Sequence, residues 1–308
     1  MQLRREVNKV LLVTGATGFI GQKLTQLNQN FRCVVRAGES HLFAGSHTVT
    51  TIDASTDWSN CFDGVEAIIH LAGLAHNKSY TNAEYRAVNT EGTLHLALEA
   101  AKAGVKRFVF VSSIGVNGTN SYDRVFLPSD VADPRNSYAQ SKHEAELGLW
   151  DISKETGLEV VIVRPTLVYG PNAPGNFGML TKLVNNFRFL PFGLANNRRD
   201  FISVSNLVDL LIVCAKHQNA PGNIFLANEN NTVSTRDFVN AIAVGQGRKV
   251  FQIPIPVGLM RFAGRLIGKS TMIEQLFGNL EVDSSNLKEI LNWTPPYSMR
   301  DSMAMLRK

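Results

Sequence analysis

Cysteine is scarce in this chain, which has only three cysteines among 308 residues. Cys33, Cys61 and Cys214 stand far apart without CxxC spacing, which argues against a disulfide framework and against a zinc site. The seven histidines show no HExxH pattern or other metal-ligand spacing, so the sequence predicts no metal. Cys33 and Cys214 fall in apolar runs, and buried free thiols are typical of a reducing compartment. We therefore expect a cytoplasmic protein.

Long apolar runs and one-sided charge are missing as well. No stretch approaches the ~20 apolar residues that cross a bilayer, so no membrane insertion is expected. The 31 basic and 26 acidic residues give a net charge of +5, and the basic ones are scattered. Scattered charge argues against a nucleic-acid partner. The excess is interpreted either as a solvated surface or as a cleft for an anionic ligand.

The first half of the chain alternates short apolar runs with helical patterns. Most of the runs are continuous in Val, Ile and Phe, as expected for strands that are covered on both faces. This alternation predicts an α/β fold with a Rossmann-type, doubly wound parallel sheet and right-handed crossovers. The predicted strands are 10–14, 32–36, 48–52, 67–72, 107–112 and 159–164, and the long helices are 83–103 and 137–155.

The pattern changes after Pro165. A turn-rich segment at 169–176 is followed by short helices and brief strands. We expect a dinucleotide-binding Rossmann domain over 1–165 and a smaller α/β substrate domain over 166–308. A segment at about 203–217 is expected to return to the first domain.

A glycine triplet follows the first strand in the segment TGATGFIG. Gly15 permits a tight turn, Gly18 lets a pyrophosphate approach the backbone, and Gly21 lets the next helix pack closely. The N–H groups and the dipole at the start of that helix favour negative charge. The pattern predicts a dinucleotide site; the alternative is a glycine-rich turn without a ligand.

The second predicted strand ends in Arg36, without the carboxylate that usually binds the adenosine ribose. An arginine at this position can pair with a 2′-phosphate, which favours NADP(H) slightly over NAD(H). The alternative is a surface arginine stacked over the adenine of NAD.

Tyr138 and Lys142 are four positions apart, which places them one turn apart on one helix face. Chance often supplies this spacing, but Ser112 and Ser113 end the preceding strand, where ligands of parallel sheets bind. A free tyrosine titrates near pH ~10, and a nearby ammonium would favour its phenolate. The pair is therefore a candidate acid/base centre.

These residues together resemble the extended short-chain dehydrogenases/reductases, in particular the NAD(P)-dependent nucleotide-sugar epimerase/dehydratase family. The matching segments run in order between residues 14 and 202. They are TGATGFIG (14–21), Asp53, HLAG (70–73), Asn89, Ser112 with Ser113, Tyr138 with Lys142, Arg164 with Pro165, YGP (169–171) and RDFI (199–202).

The resemblance implies three sets of site residues. The implied catalytic residues are Ser113 on the reacting sugar oxygen, Tyr138 as acid/base, and Lys142 on the nicotinamide ribose. The implied cofactor contacts are Gly15, Thr17, Gly18, Phe19, Ile20, Gly21, Arg36, Asp53 at the adenine, Leu71, Ala72, Gly73, Asn89, Ser112, Tyr138, Lys142, Pro165 and Val168. The implied substrate contacts are His76, Ser113, Asn117, Asn176, Phe192 and Arg199.

The resemblance also narrows the reaction. Family dehydratases carry acidic residues just after the catalytic serine or threonine, whereas residues 114–117 hold no carboxylate. Segments 190–193 and 197–200 resemble a branch, related to UDP-glucose 4-epimerase, that contains reductases of UDP-4-keto-6-deoxy-N-acetylhexosamine. A 4-ketoreductase acting on such a UDP-sugar is favoured, and a UDP-hexose 4-epimerase is the alternative. The epimerases usually carry a late diphosphate-binding arginine, which segment 276–283 lacks, unless Arg261, Arg265 or Lys269 takes its place.

Other classes of function stay open. A non-catalytic dinucleotide-binding or assembly protein would typically have lost the tyrosine or the lysine, and this chain keeps both. A general reductase of small carbonyl compounds would not need the arginines of the second domain. The family habit further implies a homodimer, joined by a four-helix contact through 83–103 and 137–155.

Overall fold

The computed structural model describes residues 10–43, 45–75 and 80–307. Its strands are β1 Val10–Thr14, β2 Phe31–Arg36, β3 His47–Val49, β4 Val65–His70, β5 Arg107–Val111, β6 Glu159–Pro165, β7 Leu167–Tyr169, β8 Phe189–Leu190, β9 Phe201–Ser203, β10 Ile224–Ala227 and β11 Phe251–Gln252. Its α-helices are α1 Phe19–Leu24, α2 Asn82–Tyr85, α3 Gly92–Lys102, α4 Ser137–Thr156, α5 Gly175–Asn186, α6 Val204–Lys216, α7 Thr235–Gly245, α8 Val257–Leu266, α9 Ser270–Phe277, α10 Ser285–Leu291 and α11 Met299–Ala304.

The chain divides into two compact units. The first takes the described residues up to 116 together with 134–164 and 208–224, and the second takes 117–133, 165–207 and 225–307. The sequence predicts one boundary near residue 165 and a returning segment at about 203–217. In the structure the returning segment is 208–224, and residues 117–133 belong to the second unit.

A seven-stranded sheet organises the first unit, in the order β10-β6-β5-β4-β1-β2-β3. The pairings from β6 across to β3 are all parallel. Val, Ile, Leu and Phe fill the central strands, and every residue of β5 is buried. The prediction of a Rossmann-type doubly wound sheet is confirmed. The third strand is shorter than predicted and ends at Val49.

Helices α3 and α4 pack closely against each other in the first unit. A side chain at Gly148 would place its first carbon 2.6 Å from Leu94 Cδ1, so a larger residue there would force Leu94 to move. The three cysteines are free and buried, as predicted. Burial raises the pKa of Cys33 to about 11 and, opposed by Arg32, that of Cys61 to about 12, which makes both thiols unreactive.

The second unit has a small aromatic core and two two-stranded parallel sheets, β7 with β9 and β8 with β11. Phe201 and Phe238 stack with ring centroids 3.7 Å apart. A buried carboxylate, Glu229, accepts hydrogen bonds from Tyr169 Oη at 2.7 Å and Asn206 Nδ2 at 2.6 Å. Among the described helices of either unit, none is long and apolar enough to cross a membrane.

Candidate active site

The glycine turn lies where the strand order reverses, beside the loop that follows β4. β1 sits between β2 and β4, so its carboxyl end is the switch point where ligands of such sheets bind. Gly15 has φ +70°, and a side chain there would meet Ala72 N at 2.7 Å. A side chain at Gly21 would approach Ala16 Cα to 2.6 Å. The turn therefore needs glycine at both positions, and it fits a dinucleotide pyrophosphate.

A carboxylate that the sequence did not predict lies beside this turn. Glu39 Oε2 accepts hydrogen bonds from Thr17 Oγ1 at 3.0 Å and from the backbone N of Arg36 at 3.1 Å. Glu39 Oε1 accepts from Arg36 Nη2 at 2.8 Å. Partial burial would raise the pKa of Glu39, but the hydrogen bonds and charge of Arg36 hold it below its usual value. Arg36 is thus already paired with an ionised carboxylate.

Ser113, Tyr138 and Lys142 come together at the carboxyl end of β5. The Ser113 hydroxyl is hydrogen-bonded to the Tyr138 phenol. Lys142 is buried, and its Nζ donates to Val111 O at 3.0 Å and lies 4.5 Å from the centroid of Phe110. The four-residue spacing on α4 therefore brings serine, tyrosine and lysine to one end of the sheet, as proton transfer requires.

Burial sets the protonation of this group. Burial, with the neighbouring Tyr85, raises the pKa of Tyr138 to about 12, although the Ser113 hydrogen bond opposes the shift. Burial also lowers the pKa of Lys142 to about 8, against the pull of Glu146. The expectation that the ammonium holds the tyrosine pKa down is wrong for the chain alone, because desolvation of the phenolate dominates. Tyr138 is a neutral phenol at neutral pH.

Asn89 ties α4 to the loop after β4. Its Oδ1 accepts from Leu74 N at 2.7 Å, and its Nδ2 donates to Leu74 O and to Ser141 Oγ, each at 3.0 Å. Ser141 Oγ in turn donates to Tyr138 O at 2.8 Å. Asn89 lies in a π-helical segment, Arg86–Glu91, that joins α2 to α3. Such segments often occur at functional sites, and in this one the Asn89 side chain points towards α4 and binds Ser141.

A buried histidine links the glycine turn to the same segment. His70 Nδ1 lies 2.7 Å from Thr14 Oγ1, and His70 Nε2 lies 2.9 Å from Thr93 Oγ1. Thr93 donates to Asn89 O at 2.7 Å, so its oxygen accepts from His70 Nε2–H. Thr14 then donates to His70 Nδ1 and accepts from Ala72 N at 3.3 Å. Burial, with the nearby Lys142 charge, lowers the pKa of His70 to about 3 and keeps it neutral.

A buried ion pair on α4 lies one turn beyond Lys142. Arg164 Nε donates to Glu146 Oε1 at 2.9 Å, and both side chains are nearly inaccessible. Burial alone would raise the pKa of Glu146, but the neighbouring His143 and the hydrogen bonds and charge of Arg164 keep it low. The ionised carboxylate therefore keeps negative potential near Lys142. Sequence spacing could have suggested this residue, since 142 and 146 share a helix face.

The remaining predicted cofactor residues of the first unit follow the glycine turn and the strands β3, β4 and β5. Phe19 and Ile20 open α1, and Leu71, Ala72 and Gly73 follow β4. A side chain at Gly73 would lie 3.4 Å from Lys142 Nζ. Ser112 directly follows β5 and is buried. Asp53 is engaged by its own loop, because its carboxylate accepts from Ser55 and Thr51, which lower its pKa.

The predicted substrate residues belong to the second unit, except for Ser113 and for His76, which lies outside the described residues. Asn117 Nδ2 donates to Leu127 O at 3.0 Å, and Asn176 Nδ2 donates to Gln275 Oε1 at 3.1 Å. Phe192 is buried, with its ring 5.9 Å from that of Phe277.

Three further predicted residues of the second unit can be placed. Arg199 is buried, and its Nη1 donates to Gly278 O at 2.9 Å. Pro165 ends β6, and Val168 lies in β7. Among the described residues of both units, no group of three His, Cys, Asp or Glu side chains could hold a metal ion.

The glycine turn, the serine–tyrosine–lysine group and the sheet order can be compared with known proteins. The profile of the NAD dependent epimerase/dehydratase family matches residues 11–227. The chain belongs to this family. It is therefore an epimerase-type member of the extended short-chain dehydrogenases/reductases, as the sequence motifs indicated.

A relative supports the family, and solved structures show the fold. A Vibrio cholerae protein described as UDP-glucose 4-epimerase is 38% identical, over 96% of this chain and 94% of that protein. A 4-epimerase of Escherichia coli O157:H7, named for N-acetylglucosaminyl-diphospho-undecaprenol, is 24% identical, over 82% of this chain and 78% of its own. The UDP-glucose 4-epimerase of Thermotoga maritima superposes with a TM-score of 0.75 at 21% identity, over 96% and 97% of the two chains.

The pKa of Lys142 leads to a pH dependence. Its ammonium is lost as pH rises through about 8, since burial has lowered its pKa to that value. We expect the affinity for NADH, followed by nicotinamide fluorescence, to fall above this pH.

The matched control is Lys142→Arg, whose guanidinium stays charged at every accessible pH. This variant should bind NADH with no inflection near pH 8. A wild-type affinity for NADH that stays constant through pH 8 would contradict a contact between the Lys142 ammonium and the cofactor.

Proposed function

We propose that this protein transfers hydride at C4 of a UDP-sugar. The observation that carries the proposal is the Ser113–Tyr138 hydrogen bond with Lys142 on the same face of α4. Residues 114–117 provide no carboxylate that could remove a C5 proton or release a hydroxyl. The nucleotide-sugar substrates of the Vibrio and Thermotoga relatives support the same class of substrate. The site therefore suits alcohol–ketone exchange without dehydration.

The first unit supplies the proton chemistry. A nicotinamide cofactor, when bound, supplies the hydride. The Ser113 hydroxyl hydrogen-bonds and orients the reacting O4. The Tyr138 phenol gives its proton to O4 as C4 gains hydride, so a ketone becomes an alcohol. Lys142, held by Val111 O, is the donor for the nicotinamide ribose.

We favour the reductive reaction alone because segments 190–193 and 197–200 resemble the reductase branch. Tyr138, with its pKa raised to about 12, holds the proton that either candidate reaction gives to the ketone. The late arginine of the epimerases is missing near segment 276–278. The side chains of Asn197 and Arg199 donate hydrogen bonds to backbone carbonyls of this segment. We propose a 4-ketoreductase of a UDP-4-keto-6-deoxy-N-acetylhexosamine. The second candidate is a UDP-hexose 4-epimerase, which the name of the 38% identical Vibrio relative favours.

For the cofactor we propose NAD(H), which reverses the slight preference for NADP(H) drawn from the sequence. That preference rested on a strand end without a carboxylate. Glu39 supplies one, bound to both Arg36 and Thr17. A 2′-phosphate would have to displace or repel Glu39, whereas a ribose 2′-hydroxyl could donate to it.

We also propose a homodimer through α3 and α4, in a cytoplasmic setting. Leu147 on α4 is half exposed, an apolar residue on the outside of these two closely packed helices, whereas Leu94 and Leu98 on α3 pack against the core of the first unit. The free, buried thiols are typical of a reducing compartment.

The proposed reaction is tested by incubation with UDP-4-keto-6-deoxy-N-acetylhexosamine and NADH. We expect stoichiometric oxidation of NADH and a UDP-linked 4-alcohol, because Tyr138 can complete the reduction at C4. The matched control, Tyr138→Phe, should bind NADH normally and lose at least about 100-fold in kcat. Epimerised UDP-glucose without added cofactor would overturn the reductase in favour of the epimerase. Turnover of neither UDP-sugar would overturn the proposed class of substrate.

The cofactor proposal is tested by Glu39→Gln. The substitution removes the negative charge that neutralises Arg36, so NADPH affinity should rise relative to NADH by up to about 5-fold, because a charge contact at the surface contributes about 1 kcal/mol or less. Fluorescence titration with both cofactors measures the ratio. Glu66→Gln, a change of charge on β4, should leave the ratio as it is. An unchanged ratio in Glu39→Gln would contradict the role of this carboxylate.

A further inference from the structure

Helix α8 of the second unit presents its apolar side to the outside. Gly264 is its buried residue, and a side chain there would place its first carbon 2.5 Å from Ile273 Cγ1 of α9. The side of α8 that carries Gly264 therefore packs on α9. Leu259, Phe262 and Leu266 follow at intervals of three and four positions, so they share one face, on the far side from Gly264.

These side chains are unusually exposed for their type. Leu259 and Phe262 are each 58% exposed, Leu266 is 73% exposed, and Ile267 beside them is 68% exposed. We call Leu259, Phe262 and Leu266 the α8 stripe, which Ile267 follows directly after the helix ends. Single exposed apolar residues are ordinary on protein surfaces, whereas a continuous stripe along one helix marks an interaction surface.

The charge around the α8 stripe is mainly basic, with Glu274 of α9 as a neighbouring carboxylate. Residues 238–273 contain Arg248, Lys249, Arg261, Arg265 and Lys269 and no aspartate or glutamate. Arg261 and Arg265 are four positions apart and form the strip of α8 next to Phe262. Arg261 pairs with Glu274 at 2.9 Å, while Arg265 and Lys269 are exposed. The α8 stripe thus has a basic border.

The apolar α8 stripe and its basic border together indicate the kind of partner. A second copy of the chain, packed stripe to stripe about a twofold axis, would bring Arg265 and Lys269 of both copies close together, while Glu274 is already paired with Arg261. Apolar side chains bordered by basic ones are the pattern of helices that lie in the interface of an anionic bilayer. We propose that the α8 stripe docks the protein on a membrane surface rich in anionic phospholipids.

The proposal is tested by vesicle flotation of the full chain. We expect binding to vesicles of phosphatidylglycerol and phosphatidylethanolamine, weakened by salt, and at least about 10-fold less binding to pure phosphatidylcholine. The variant Leu259→Ser/Phe262→Ser/Leu266→Ser should lose at least about 10-fold in binding to anionic vesicles, because it removes the inserted apolar surface. Arg265→Gln/Lys269→Gln should bind more weakly and with less salt dependence.

A matched control changes exposed apolar residues elsewhere. Leu42→Ser/Val131→Ser alters two side chains at least 90% exposed and should bind vesicles as the unchanged chain does. Failure of the unchanged chain to bind anionic vesicles would overturn the proposal. So would equal binding by the triple variant, or a triple variant that changes the oligomeric mass in solution. Turnover of a water-soluble UDP-sugar is expected to be unaffected by the triple variant, and its loss would place the α8 stripe at the substrate instead.

Discussion

One buried hydrogen-bond chain fixes the relative positions of the catalytic and cofactor segments. It runs from Ala72 N–H through Thr14, His70 and Thr93 to the backbone carbonyl of Asn89. Each hydroxyl donates once and accepts once, so the chain has one proton order, with His70 neutral and protonated on Nε2. A buried donor or acceptor left unpaired would cost about 1–3 kcal/mol, so the chain resists rearrangement.

The rest of the site depends on this arrangement. Because Asn89 is held by its carbonyl, its side-chain amide can bind Leu74 and Ser141 at once, and Ser141 bonds the backbone of Tyr138. The glycine turn that begins after Thr14 is thereby connected to the helix that carries the acid/base. The same burial that enforces these bonds raises the Tyr138 pKa and lowers that of Lys142. Rigidity and protonation therefore have one physical cause.

Sequence patterns predicted the parts of the protein that depend on local spacing. Continuous apolar runs predicted the sheet, and the four-residue step predicted that Tyr138 and Lys142 share a face. The sequence did not predict that Glu39 belongs to the cofactor site, because this residue lies beyond the end of the second strand. Only the left-handed turn at Gly38, with φ +86°, brings the Glu39 carboxylate next to Arg36 and Thr17. His70 lies 56 residues from Thr14 and 23 from Thr93, so no local pattern joins them. Phe192 and Arg199 lie in segments that match family motifs. Their contacts, Phe192 with Phe277 and Arg199 with Gly278 O, depend on the packing of distant segments and could not be predicted from the motifs.

Transfer of a labelled hydride tests the central claim most directly. NADH carrying deuterium at the transferable position of its nicotinamide is incubated with the enzyme and UDP-4-keto-6-deoxy-N-acetylhexosamine, and the product is examined by NMR. Hydride delivery to a carbonyl whose oxygen is protonated by Tyr138 predicts deuterium at C4 of the sugar and nowhere else. Deuterium at C6, or a product free of deuterium, would contradict it.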